Sequence, residues 1–119
     1  MNKYTLPRGI VKACAGLVQA AADVEPYKSA IENAEAKIWP SAPAEQQAER
    51  QRLLVAIKRN LTSPRSPKID ALIAEYGLHI SAPTFKRYKR RFCWEFAAAL
   101  HLSEIHTGNP EKGTQNGKS

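Results

Sequence analysis

The sequence predicts an all-α protein: a small helical bundle of about five helices, with a C-terminal helix-turn-helix and a flexible tail. Apolar residues recur at intervals of three and four along most of the chain, the spacing that places side chains on one face of a helix. Alanine is frequent in the first 45 residues, and only 6 of the 119 residues are glycine. No stretch shows the alternation and β-branched enrichment that indicate a strand.

The first two predicted helices are separated by a proline. The first begins after Leu6-Pro7 and ends at Ala22 or Asp23. Its apolar stripe consists of Ile10, Val11, Cys14, Leu17, Val18 and Ala21. Pro26 either breaks the chain or lies in the first turn of the second helix, where its missing N–H has no helical partner to lose. The second helix ends at Trp39-Pro40. Its inward residues are predicted to be Tyr27, Ile31, Ala34 and Ile38.

The third predicted helix runs from about Pro43 to Asn60. Its inward residues are predicted to be Leu53, Leu54, Ile57 and Leu61. Acidic residues lie near its start, and Lys58 and Arg59 lie near its end, an arrangement that complements the helix dipole. The same two cations can instead extend a phosphate-contacting surface. Both interpretations stay open.

A fourth, short helix and a turn are predicted next. Ser66-Pro67 is an N-cap followed by a proline that suits the first helical position, and Gly77 can adopt the left-handed conformation that ends a helix. Residues 78–80 then cross to Ser81, in a turn about two residues longer than in the usual helix-turn-helix. Two residues of this turn are expected to be buried: Leu78 and Ile80.

The fifth predicted helix runs from Ala82 to Leu102, because Ser81 is a good N-cap and Pro83 suits a first turn. Its predicted core face is Phe85, Tyr88, Phe92, Phe96, Ala99 and Leu100. Residues 58–91 contain nine basic and two acidic residues and the rest of the chain has nine of each, so the net charge of +7 comes from this stretch. A solvated helical face normally mixes both signs, so the one-sided charge favours a binding surface.

The last helix resembles a known family. Residues 85–92, Phe-Lys-Arg-Tyr-Lys-Arg-Arg-Phe, followed by Trp94, Phe96-Ala97 and Leu100, resemble the closing helix of the ArpU/RinA-type phage transcriptional regulators. Residues 4–9, Tyr-Thr-Leu-Pro-Arg-Gly, resemble the start of the same family. The resemblance implies a fold similar to the fourth region of sigma factors and the regulation of late phage genes through promoter DNA.

The sequence predicts no enzyme, no metal and no cofactor. Cys14 and Cys93 lack the spacing of metal ligands and are expected to be buried free thiols. None of the three histidines, including His79 in the predicted turn, has a carboxylate partner at a recognisable spacing. A glycine-rich phosphate loop and a nucleophile elbow are both absent from the sequence.

Three segments are expected. Residues 1–61 form the N-terminal helices, which offer an oligomerisation or partner surface, residues 62–102 form the helix-turn-helix, and residues 103–119 form a disordered polar tail. The N-terminal apolar run is interrupted by Lys12 and Gln19 and is too short to span a bilayer. We therefore expect a protein of the bacterial host cytoplasm with no membrane partner.

These observations predict a sequence-preferring protein for double-stranded DNA, whose fifth helix enters the major groove with its N-terminus first. The residues expected to reach base edges are Thr84, Arg87 and Arg90. The residues expected to contact phosphates are Lys86, Arg91, Lys68 and Arg65, and Ser81 belongs to the same DNA-binding set. One such motif makes few contacts, so a homodimer or assistance from RNA polymerase is expected.

Three other functions remain compatible with the same basic helix. An RNA-binding antiterminator would bind RNA more tightly than duplex DNA. A terminase-like DNA-packaging protein would assemble into a ring. A small protein-interaction module, such as an inhibitor, would bind an acidic protein surface and have little affinity for nucleic acid.

Overall fold

The computed structural model describes residues 6–63 and 68–100, and all regular secondary structure within these ranges is helical. A 3₁₀ turn at Ala44–Gln46 precedes the third of five α-helices. The α-helices are α1 (Arg8–Ala20), α2 (Tyr27–Ala36), α3 (Gln47–Thr62), α4 (Ile69–Glu75) and α5 (Ala82–Leu100). The predicted all-α class with about five helices is confirmed. Some predicted features lie outside the described residues: Arg65, the Ser66-Pro67 cap, residues 101–102 of the fifth helix and the tail at 103–119.

Helix α5 is central to the bundle, because it contacts each of the other four described helices and packs most extensively against α2. Its three phenylalanines, Phe85, Phe92 and Phe96, are buried in the core. Complete burial of such a side chain contributes about 1.5–3 kcal/mol. Apolar burial therefore anchors α5, and the surface that it offers to a partner is confined to its remaining polar face.

The buried face of α5 is wider on one side than predicted. The three phenylalanines are buried as expected, but Ala99 is exposed, and the other two members of the predicted face are half-buried. Buried instead are Cys93 and Ala97. Helix α1 accounts for the burial of Cys93, because it packs against α5 and brings Cys14 Sγ to 3.8 Å from the carbonyl oxygen of Cys93.

Helix α1 is slightly shorter than predicted. It ends at Ala20, because Ala21 leaves the helical conformation with φ −132° and ψ 23° and the Val24 N–H then bonds to the Ala21 carbonyl at 3.0 Å. Pro26 is the N-cap of α2, so of the two predicted alternatives it marks a break and does not lie in the first helical turn. Helix α2 ends at Ala36, earlier than the predicted end at Trp39-Pro40. No helix in the described part of the chain has both the length and the apolar character needed to cross a bilayer.

Helix α3 matches its prediction more closely than α4 does. The predicted start at Pro43 is the N-cap of the 3₁₀ turn, and the four predicted inward residues of α3 are all buried. Helix α4 begins at Ile69 within the described residues, and the predicted start at Pro67 lies outside them. Lys68 has extended backbone, with φ −60° and ψ 139°, and is the N-cap. The helix thus starts at its first core-packed side chain, Ile69, and Asp70 in the first turn suits the helix dipole.

Candidate nucleic-acid interface

The turn between α4 and α5 has the left-handed glycine that the sequence predicted. Gly77 has a φ of 62°, in the left-handed region. Its N–H donates to the Ala74 carbonyl at 3.3 Å, and the Leu78 N–H donates to the Ile73 carbonyl at 2.9 Å. These two bonds form a Schellman motif, in which the last carbonyls of the helix are satisfied. Leu78 is buried as predicted. The chain therefore leaves α4 in a defined direction.

Three of the predicted DNA-binding residues lie together at the start of α5. Ser81 is the N-cap, because its Oγ accepts from the Thr84 N–H at 3.3 Å and its carbonyl accepts from the Phe85 N–H at 3.0 Å. The Ser81 hydroxyl also donates to Thr84 Oγ1 at 3.0 Å, and Arg87 Nη2 donates to the same oxygen at 3.2 Å. Ser81, Thr84 and Arg87 thus form one hydrogen-bonded group at a helix N-terminus, where the dipole favours anions.

A buried carboxylate from α3 binds this turn. Glu49 Oε2 accepts from the His79 N–H at 2.6 Å, and Glu49 Oε1 lies 3.4 Å from His79 Nδ1. The Glu49 residue is only 7% exposed, and the His79 N–H bond is the main cause that lowers the pKa of its carboxyl. The sequence shows no carboxylate partner for His79 at a recognisable spacing, and the structure supplies one from α3. The pair is separated by 30 residues, so no local spacing indicates it.

Two arginines of α3 hold the C-terminus of α4. Arg52 Nε donates to the Tyr76 carbonyl at 2.8 Å. Arg59 pairs with the Glu75 carboxylate, donates to the Tyr76 hydroxyl at 3.2 Å and lies 5.9 Å from the centre of the Tyr76 ring. The hydrogen bonds that Arg59 donates to Tyr76 and Glu75 raise the pKa of Arg59. These contacts position α4 and the turn relative to α3.

Sequence reasoning did not identify Glu49 and Arg52 as positioning residues. One signal for Glu49 was present, because it lies four residues before the buried Leu53 on the inward side of α3. A carboxylate on an apolar stripe requires a buried partner. No comparable signal exists for Arg52, since its acceptor is a backbone carbonyl in another helix.

The basic residues near the end of α3 have intramolecular partners. Lys58 Nζ lies 2.6 Å from Glu35 Oε2, and Arg59 is held by Glu75 and Tyr76. These pairs add to the helix-dipole explanation for both cations. They also reduce the charge that Lys58 and Arg59 offer to a phosphate.

The basic residues of α5 have different surroundings. Helix α5 has five basic residues. Of these, Arg91 alone forms an ion pair within the described residues, and its Nε lies 3.5 Å from Glu95 Oε2. Lys86 and Arg87 are exposed and form no ion pair within the described residues, whereas Arg90 is half-buried. Like charges three or four positions apart destabilise a helix by about 0.2–0.5 kcal/mol per pair. The cluster therefore opposes folding slightly, and its exposed members are Lys86 and Arg87.

A cavity of about 320 Å³ adjoins this basic cluster, between the start of α1, α4 and α5. Its apolar wall consists of Leu6, Val11, Ile69 and Cys93. Its basic edge consists of Lys86, Lys89 and Arg90. The cavity thus places two of the predicted DNA-binding residues, Lys86 and Arg90, beside an apolar surface. Lys68, another predicted phosphate contact, is exposed at the N-cap of α4.

Both cysteines are buried free thiols, as predicted. Burial raises the pKa of Cys14 to about 12 and that of Cys93 to about 11, so both are protonated at neutral pH. No group of three or more His, Cys, Asp and Glu side chains within residues 6–63 and 68–100 could hold a metal ion.

Comparisons with protein-family models, with curated proteins and with solved structures find no match for this chain. The resemblance to the ArpU/RinA-type regulators therefore depends on the residues at the two ends of the helical region. Of these, residues 85–100 lie within α5, and residues 4–5 lie outside the described part of the chain.

Proposed function

We propose that the chain is a sequence-preferring double-stranded DNA-binding protein that regulates phage transcription in the host cytoplasm. The N-terminal half of α5 is the part that enters the major groove, and α4 with the turn at 76–81 completes the helix-turn-helix. The observation that supports this proposal best is the exposed basic surface of Lys86 and Arg87, which has no ion pair within the described residues and follows a capped helix N-terminus.

The electrostatics of duplex DNA suit this surface. B-DNA has one negative charge per about 1.7 Å of helix axis, and a protein cation that contacts a phosphate releases a condensed counterion. Lys86 and Arg87 can replace such counterions without first breaking an ion pair, because none is present among the described residues. Lys58 and Arg59 would have to give up their carboxylates first.

The side chains divide into those that read bases and those that bind phosphates. Arg87 has two parallel donors that match the acceptor edge of guanine, and each such contact discriminates by about 1–3 kcal/mol. Thr84 lies 3.2 Å from the Arg87 guanidinium and can orient it. Lys86, Lys68 and Arg91 are assigned to phosphates, with Arg91 sharing its charge with Glu95.

The contacts from α3 support the same function. Glu49 and Arg52 bind the turn and the end of α4, so that the start of α5 is ordered before any ligand arrives. An ordered interface loses less conformational entropy on binding than a mobile one. A homodimer or a contact with RNA polymerase would supply the additional surface that a single helix-turn-helix lacks.

Fluorescence anisotropy tests this proposal. The chain is titrated against random duplex DNA and RNA of equal length at several salt concentrations. We expect a duplex affinity that falls steeply with salt, because phosphate contacts release counterions. Tighter binding to RNA would favour the antiterminator, and a ring in solution would favour the packaging protein. Absence of binding to either nucleic acid at low salt would contradict the proposal and favour an acidic protein partner.

A pair of variants tests the division of roles, once a preferred duplex has been selected. Arg87→Ala is expected to bring the preferred and random duplexes closer in affinity. Lys86→Ala is expected to weaken both duplexes alike and to reduce the salt dependence. Lys28→Ala, at an exposed lysine of α2 beside Glu32 and Glu35, controls for the loss of one charge. Equal effects of Arg87→Ala and Lys86→Ala would contradict the assignment.

A further inference from the structure

The cavity between α1, α4 and α5 combines two kinds of surface. Leu6, Val11 and Ile69 are half-buried on its apolar side, and Cys93 is buried behind them. Its volume of about 320 Å³ is at the lower end of the range for small-molecule sites in proteins. Such sites are mostly apolar, with a few polar groups that fix the orientation of the ligand.

The polar groups at this cavity are all cationic. Lys86, Lys89 and Arg90 lie three and four positions apart on α5, and none of the described lining residues is acidic. Arg90 Nε is buried and has no acceptor within the described residues. A buried donor without an acceptor is unfavourable, most of all when it belongs to a charged group. The guanidinium of Arg90 is therefore partly desolvated, and an anionic group at the cavity edge would compensate its positive charge.

We propose that this cavity binds a small amphipathic anion, with its charged head at Lys89 and Arg90 and its apolar body against Leu6, Val11 and Ile69. Because Lys86 belongs to the proposed DNA-binding surface and Arg90 is predicted from the sequence to reach a base edge, the bound anion displaces DNA. This second statement rests on the proposed function, whereas the binding site itself does not. A free carboxylate with a medium-length alkyl chain has the required chemistry, and octanoate is a soluble probe of this class.

Titration calorimetry with the full chain tests the site without DNA. We expect one octanoate per chain, and binding about tenfold weaker for Arg90→Gln, since that variant loses a charged hydrogen-bond donor. Lys28→Gln on α2 is the matched control and is expected to bind as the wild type does. Octan-1-ol has the alkyl chain without the negative charge, and acetate has the negative charge without the long chain. Both are expected to bind far more weakly than octanoate. No binding of octanoate, or equal binding of octan-1-ol, would overturn the proposal.

Methyl NMR of the wild-type chain locates the bound octanoate without relying on the Arg90→Gln variant. Octanoate is expected to shift the methyl signals of Leu6, Val11 and Ile69. Val18 and Ile31, which line a different, more polar cavity between α1, α2 and α3, are the controls and should not move. Shifts confined to Val18 and Ile31 would overturn the assignment of the cavity.

A competition experiment with DNA separates the proposed anion site from the proposed DNA-binding function. Octanoate is expected to raise the apparent Kd of the wild-type chain for random duplex DNA, and acetate at the same ionic strength is not. Octanoate binding without any effect on DNA affinity would overturn the displacement. A chain that binds octanoate but no duplex at any salt concentration would overturn the proposed function and the displacement, and would leave the anion site supported by its own isotherm.

Discussion

Helices α3 and α5 both contain clustered basic residues, and the comparison between them separates cations that have carboxylate partners from cations that have none among the described residues. On α3, Lys58 and Arg59 are paired with Glu35 and Glu75, and these pairs join α3 to α2 and to α4. On α5, Lys86 and Arg87 lie on the surface without an ion pair among the described residues. The ion pairs give Lys58 and Arg59 a structural explanation, and no such explanation applies to Lys86 and Arg87.

The two helices also differ in how they are held. Helix α3 binds the turn at 76–81 through polar contacts from Glu49 and Arg52. Helix α5 is held by the burial of its phenylalanines. Consequently, substitutions on α3 and on the buried side of α5 should change stability, and substitutions on the basic side of α5 should change binding. The following predictions test this difference.

The largest effect is expected for Phe85→Ala. Phe85 is fully buried, and removal of such a side chain leaves a cavity that lowers the free energy of unfolding by about 3–5 kcal/mol. Its neighbour Lys86 is exposed, and Lys86→Ala should change that free energy by less than about 0.5 kcal/mol. Urea denaturation measures both variants. A loss for Lys86→Ala comparable to that for Phe85→Ala would show that the basic side of α5 is structural.

The next effect is expected for Glu49→Ala. The variant loses a charged hydrogen bond to the turn, which is worth about 1.5–3 kcal/mol at neutral pH. The pKa of Glu49 is lower in the folded chain than in the unfolded one, so its contribution is present above the unfolded pKa of about 4.3 and is lost as the pH falls through the folded pKa.

The stability difference between the wild type and Glu49→Ala should therefore be largest near neutral pH and shrink in acid. Urea denaturation at a series of pH values measures it. Glu45→Ala, at an exposed acid in the preceding 3₁₀ turn, is the control and should have little effect at any pH. A difference that stays constant down to about pH 3 would contradict the role of the ionised carboxylate.

Smaller effects are expected when two glycines are replaced by alanine, and the free energy of unfolding should change in opposite directions at the two positions. Gly77→Ala should lower the free energy of unfolding by about 1–2 kcal/mol, because an alanine is strained at a φ of 62° although no atom lies within 4 Å of the added Cβ. Gly16→Ala, in the middle of α1 with similar open space, should raise it by about 0.5–1 kcal/mol. Thermal unfolding compares the two variants, and stabilisation by both would contradict the left-handed turn.

The features that the sequence predicted are those with local causes. Gly77 and Ser81 are a glycine at a left-handed C-cap position and a serine at an N-cap, and both roles follow from their own backbone and side-chain chemistry. The inward residues of α3 follow from helical periodicity in the same way. The burial of Cys93 did not follow, because it depends on where α1 crosses α5.

The candidate site was predicted less completely than the fold. The basic side of α5 is visible in the sequence, since its residues are contiguous. The bonds from Glu49 to His79 and from Arg52 to Tyr76 join residues 30 and 24 positions apart, so they exist only once α3 and α4 are packed together. The cavity likewise requires three segments of the chain to meet, and no single run of residues predicts its volume or its basic edge.

The most direct test of the account compares Lys86→Gln on α5 with Lys58→Gln on α3, two variants that each remove one positive charge. The salt dependence of binding to random duplex DNA is measured by fluorescence anisotropy for both variants and the wild type. We predict that Lys86→Gln reduces the slope of log K against log salt by about 1 and that Lys58→Gln leaves it unchanged. Equal reductions would contradict the account, because they would place the paired cations of α3 on the DNA surface too.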